Sequence, residues 1–130
     1  MIRPSVNASL SLLQALTQYI DLGSTNATFV FYDDAKPLNT TIVANDSAKL
    51  ITVKLPKPCF KRTNTDNIEL QPSSEEIVIK TGTANWARLF NGEGLVVADF
   101  DCVADMSLNT RELIIGGLFK LDSIILSIGD

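Results

Sequence analysis

The sequence predicts an all-β fold, a jelly-roll-like antiparallel β-sandwich with one N-terminal α-helix. Three observations predict it. Helical periodicity is confined to the stretch before Gly23. After Gly23 the apolar residues fall in short β-branched and aromatic runs separated by Pro, Gly, Asn and Asp. No helical pattern stands between those runs, as a parallel α/β sheet would require. With 130 residues, 45% hydrophobic and 20% charged, the chain has the length and composition of one globular domain. We read a helix or arm over residues 5–22 and a sandwich over residues 27–129.

The first element is the helix. Val6, Leu10, Leu13, Leu16 and Ile20 recur at spacings of three and four and share one stripe, while Ser9, Ser11, Gln14 and Gln18 fall mainly elsewhere. Ser5 or Asn7 can accept the first free backbone N–H, and Gly23 can adopt the left-handed conformation that ends the element. Something must cover the stripe. Periodicity favours packing on the β domain; the other reading makes Leu10, Leu13, Leu16 and Ile20 an interface with a partner chain.

The strands follow. "ATFVFY" (27–32) opens the series and "DDAKPLN" breaks it; "KLITVKL" (49–55) alternates in the half-buried manner. "PKPCFKRTNTD" reads as a loop in which Cys59 and Phe60 tuck inward. "NIELQ", "EEIVIKTG" and "ANWARLF" are short strands, and "LVVADFDCV" pairs back on the last of them. "LII" leads through Gly116-Gly117, a hairpin signal, into one long closing strand, "LFKLDSIILSIG".

The hairpin around "NGEG" (91–94) is the most site-like feature. It is not a phosphate loop, since both the Walker and the dinucleotide glycine patterns lead into a helix and here a strand follows. Gly92 and Gly94 instead suggest the positive φ angles of a tight turn. Pairing about this loop sets Phe90 opposite Leu95, Arg88 opposite Val97 and Trp86 opposite Asp99, with Arg88 diagonal to Asp99 and within ion-pair reach. Both faces of the hairpin are apolar, which places it inside the molecule with Trp86 as a core anchor.

Chemistry is sparse. No histidine occurs, which removes Ser-His-Asp and Cys-His pairs, His-ligated metals and the commonest general base. Asp33-Asp34 and Glu75-Glu76 are adjacent pairs whose members point to opposite strand faces. Asp99 and Asp101 share a face, with Asp105 beyond, but no calcium loop surrounds them, and solvated strand ends explain them better than a glycosidase pair. We expect no catalytic residue, no cofactor and no metal. A net charge of −4 disfavours a nucleic-acid partner, and the only basic cluster, Lys54, Lys57, Lys61 and Arg62, is interrupted by Pro56 and Pro58. Two cysteines, Cys59 and Cys102, suggest free buried thiols. No apolar run suits a signal peptide or a membrane span, so the expectation is a soluble chain without a membrane partner.

Taken in order, "FYDDAKP" (31–37), "LITVKLPKPCF" (50–60), "GTANWARLFNGEGLVVADFDC" (82–102), "MSLNT" (106–110) and "IIGGLFKLDSIILSIG" (114–129) resemble a family of small bacteriophage and prophage virion structural proteins. The chain departs from the pattern at Asp34, where glycine is usual, and in the basic loop from Lys57 to Asn67. The resemblance implies a capsid decoration or cement protein with a jelly-roll-like sandwich. Such a protein is made in the bacterial cytoplasm, sits at the capsid surface on the phage major capsid protein and binds copies of itself as a homo-oligomer. The alternative from another class is a tail-fibre or baseplate module that binds a receptor or carbohydrate, and it would need an exposed aromatic residue for sugar stacking.

Overall fold

The structure, a computed structural model, describes residues 3–128. The helix α1 runs Val6–Ile20 and is capped by Ser5, whose side chain accepts from the Ala8 N–H at 3.2 Å. Its end is held by Asp21, whose N–H donates to the Thr17 carbonyl at 3.0 Å, and by Leu22, whose N–H donates to the Tyr19 carbonyl at 3.3 Å; Gly23 follows at φ +103°. The strands are β1 (Thr28–Tyr32), β2 (Lys49–Lys54), β3 (Phe60–Thr63), β4 (Ile68–Leu70), β5 (Glu76–Ile77), β6 (Gly82–Thr83), β7 (Trp86–Phe90), β8 (Val96–Asp101), β9 (Glu112–Leu113), β10 (Leu118–Phe119) and β11 (Ile124–Leu126). A short 3-10 helix, Asp46–Ala48, precedes β2.

All pairings are antiparallel, and the fold is all-β and sandwich-like with a single N-terminal helix. The largest sheet has the order β2-β1-β7-β8, and a three-stranded sheet has the order β11-β4-β3. Two small ladders, β5 with β10 and β6 with β9, complete the set. The main core lies where these layers meet: Phe29 and Phe31 of β1, Ile51 and Val53 of β2, and Ala87 and Leu89 of β7 share one cluster with Ile68, Leu70, Ile124 and Leu126. The alternation that side chains follow along a strand sends Val30, Tyr32 and Trp86 to the opposite face, into a second, smaller core. Both faces of β1 and β7 are therefore covered.

The helix contributes to the main core. Leu13 and Ile20 are buried in it, Leu10 and Leu16 pack partly against it, and the helix lies on β3 and β4. Val6, at the start of the stripe, is exposed, and so are Leu12 and Tyr19. Replacing Ile20 with Ala should lower stability by about 2–5 kcal/mol, the range for a fully buried aliphatic side chain. Leu12→Ala should change it by under about 0.5 kcal/mol. Urea midpoints of the two variants check this difference.

Three sequence expectations are corrected. The stretch read as a loop contains β3, an edge strand with outward Lys61, Arg62 and Thr63, while Cys59 is fully buried and Phe60 partly so. Prolines and basic residues disguised it, yet charged side chains are a usual way to protect an exposed edge. Lys61 and Arg62 both approach Glu69 on β4 at 3.4 Å. The long closing strand is two short strands, β10 and β11, in different sheets. Between them Leu121 crosses from one layer to the other, with its N–H on Ser73 Oγ at 2.8 Å and its carbonyl accepting from the Ser73 N–H at 2.9 Å. Gly116 does sit in a turn, at φ +86°, but the strands either side, β9 and β10, pair with β6 and β5 rather than with each other. Gly129, the expected end of the closing strand, lies outside the described residues.

Both cysteines are free and buried, and burial pushes each thiol up to about 12, with the Asp21 carboxylate adding to the effect at Cys59. Neither should react with a disulfide reagent at pH 8 until the chain unfolds, since the thiolate is the nucleophile. A folded value raised above the ordinary 9.0 gives stability that is present below pH 9 and is lost as pH rises towards 12. Thiol titration with and without denaturant, and melting above pH 9, read out the two effects.

Candidate functional site

Of the candidate residues from the hairpin, Trp86, Arg88 and Asp99 come together on the outer face of the four-stranded sheet, whereas Val97 packs on the main core and Gly92 and Gly94 lie in the loop. The loop has a different geometry from the one expected. Asn91 N donates to the Leu95 carbonyl at 2.9 Å and Gly94 N to the Asn91 carbonyl at 3.0 Å, so three residues, Gly92, Glu93 and Gly94, form the connection. Asn91 Oδ1 accepts from the backbone of Glu93 and of Leu95, each at 3.0 Å, and this explains why an asparagine opens the loop. Its Nδ2 is buried with no protein partner among the described residues.

The three-residue loop and a bulge shift the register. Leu89 pairs with Ala98 but Phe90 pairs with Val96, leaving Val97 as the extra residue. Arg88 is therefore opposite Asp99, not Val97, and Trp86 is opposite Asp101, not Asp99. Val97 packs on the main core instead. The ion pair is direct rather than diagonal.

The two loop glycines have separate reasons. Gly94 has φ +83° and nothing within 4 Å of where a Cβ would stand. Gly92 has no positive φ; a Cβ there would overlap the backbone carbonyls of Leu22 and Thr25. Gly23 faces it from the other side, and a Cβ there would meet the Gly92 backbone. The end of the helix and the tip of the hairpin thus lie backbone to backbone. Thr25 Oγ1 donates to the Gly92 carbonyl at 2.5 Å, and Lys57 Nζ donates to the Gly23 carbonyl.

On the strands, Tyr32 stacks on Trp86 with centroids 4.4 Å apart and planes at 18°. Arg88 lies over the indole, its Cζ 5.2 Å from the ring centre. The guanidinium grips Asp99 through two bonds, Nε to Oδ1 at 2.7 Å and Nη2 to Oδ2 at 3.0 Å, and the two side chains are 3% and 7% exposed. Hydrogen bonding to the Asp99 carboxylate holds the Arg88 charge more firmly than usual, and burial raises the Tyr32 hydroxyl.

The segment from Asp33 to Asn45 straps this face. Arg88 Nη1 donates to the Ile42 carbonyl at 2.7 Å, Trp86 Nε1 to Asp34 Oδ1 at 2.7 Å, and Ala44 packs on the aromatic pair. Asp33 anchors the near end, bonded to Lys80 Nζ at 3.0 Å while its carbonyl accepts from Asn85 Nδ2 at 2.7 Å. Asp34 is the partner of the only tryptophan. Nothing in local sequence announces that contact, which spans 52 positions. Beneath the strap remains a shallow cavity of about 290 Å³ bordered by Tyr32, Ile42, Arg88 and Phe90.

Asp101 and Asp105 are engaged with backbone as well. Asp101 Oδ1 accepts from Val103 N and Ala104 N at 2.8 and 2.9 Å, and these bonds draw its carboxyl below the ordinary range. Asp105 Oδ2 accepts from Asp101 N at 2.8 Å. A groove of about 290 Å³ runs beside them between β8 and β11, floored by Phe29, Phe100 and Leu126. Among the described residues no three His, Cys, Asp or Glu side chains gather as a metal site, and no helix is long and apolar enough to cross a membrane.

Set against known proteins, the chain matches no family model, no curated protein and no solved structure.

Proposed function

We propose that the chain is a non-enzymatic phage virion protein, a capsid decoration or cement protein that binds the coat-protein lattice, contacts like copies and stabilises the head. The observation that carries this reading is the internal use of its reactive groups. Arg88 and Asp99 are sealed against each other, Asp101 and Asp105 cap a turn, and both thiols are buried. What the molecule offers outward is aliphatic surface on a rigid β frame, such as Leu38 and Val43 on the strap and Ile114 and Leu118 near the C-terminus. The motif resemblance set out above points the same way. The tail-fibre alternative loses its natural sugar platform, because Trp86 is completely buried.

The test is direct. Purified chain mixed with capsids of the phage that encodes it should co-sediment with them, and mass spectrometry of purified virions should detect it in stoichiometric amounts. Absence from virions together with no capsid binding overturns the reading.

A further inference from the structure

Asn91 is the only asparagine of the chain that is followed by glycine. That pair carries chemistry of its own. The Gly92 amide nitrogen can attack Asn91 Cγ, because glycine has no side chain to shield it. An N–Cγ bond forms, the Cγ–Nδ2 bond breaks, and Nδ2 leaves as ammonia with the proton of the Gly92 N–H. The cyclic imide then adds water at either of its carbonyls. One addition gives aspartate; the other gives isoaspartate, whose main chain runs through Cβ and Cγ. No reactant besides water is needed.

We infer that Asn91–Gly92 is a deamidation site that the native fold holds shut and that opening of the hairpin tip releases. Ring closure needs Cγ drawn onto the Gly92 nitrogen in line for attack, which turns the side chain and the backbone together. Both are fixed. Asn91 Oδ1 accepts from Glu93 N and Leu95 N, each at 3.0 Å, and the residue is buried. Its N–H donates to the Leu95 carbonyl at 2.9 Å, and its carbonyl accepts from Gly94 N at 3.0 Å. Gly92 is wedged against the Leu22 and Thr25 carbonyls, and Thr25 Oγ1 donates to the carbonyl of Gly92. The reaction therefore waits for the helix end to part from the hairpin tip, a local opening rather than a surface fluctuation.

Refolding does not undo the change. Isoaspartate lengthens the main chain by one carbon beside Gly92, where even an added Cβ would overlap neighbouring backbone. It also takes Oδ1 out of the side chain, so the anchor for Glu93 N and Leu95 N is lost. A chain that has reacted while open closes again with a defective tip.

This chemistry is independent of any virion role, and the whole chain tests it. Native protein and protein held in guanidinium chloride above its unfolding midpoint are incubated in the same mildly alkaline buffer, and peptide mass spectrometry follows loss of the Asn91 amide. The native chain should react at least about 100-fold more slowly, as expected when opening of a packed element must come first. Thr25→Val removes the hydroxyl bond to the Gly92 carbonyl. With unchanged circular dichroism it should react several-fold faster than wild type when native, and at the same rate when denatured. The isoaspartyl chain, separated and refolded, should have a lower urea midpoint than the unmodified chain. Equal rates in the two states, a native rate that Thr25→Val leaves unchanged, or an isoaspartyl chain with the wild-type midpoint overturns the inference.

Discussion

Arg88→Met should lower the unfolding free energy by about 3–5 kcal/mol, because it leaves the Asp99 charge buried without its partner. For a chain of this length that corresponds to a melting temperature lower by about 10–20 °C. The Ile42 carbonyl loses its donor at the same time, so the strap loosens from the sheet. Adding Asp99→Leu to Arg88→Met should restore most of the loss, since two apolar side chains of similar volume replace the pair and no buried charge remains. A double-mutant cycle by urea denaturation measures the coupling directly. Equal and additive losses from the two changes would show that the pair is worth little and that the site is wet.

Gly92→Ala should be the most costly change in the hairpin loop, at about 3 kcal/mol or more, although it adds a single methyl group. The added carbon would overlap the carbonyls of Leu22 and Thr25, and backbone on both sides cannot rotate away as a side chain could. The helix end and the hairpin tip must then separate, which also breaks the Thr25 bond to the Gly92 carbonyl. Gly94→Ala should cost only about 1–2 kcal/mol, because open space surrounds it and the left-handed backbone is its sole objection. Denaturation midpoints of the two alanine variants decide between close approach and turn geometry as the reason for each glycine. The reverse order of effects would mean that the helix end does not touch the loop.

These two predictions also mark where the sequence was readable. The helix, β1, β2, β7 and β8 announce themselves through periodicity and β-branched composition. The inward position of Trp86 follows from a hairpin that is apolar on both faces. The register does not: a single unpaired residue, Val97, shifts every partner beyond it, and nothing in "GLVVADF" distinguishes a bulge from regular pairing. Gly92 was legible as special but for the wrong reason, because a close approach between segments 69 positions apart leaves no local trace. The strap is illegible for the same cause. Asp34 and Ile42 look like loop residues, and only the fold brings them onto Trp86 and Arg88. Conversely, β3 was hidden by the prolines just before it and by its own cations, which serve an edge rather than a loop.

Trp86 is the single tryptophan, so its fluorescence reports on one place, the sealed face beneath the strap. This most site-like cluster is framework, with Trp86, Arg88 and Asp99 all buried. Acrylamide quenching tests it most directly. The native chain should show a blue-shifted emission that is weakly quenched, with strong quenching only after unfolding in urea. Native quenching as efficient as that of the unfolded chain would put the indole in solvent, contradict the sealed framework and make the Tyr32–Trp86–Arg88 face a ligand-binding surface after all.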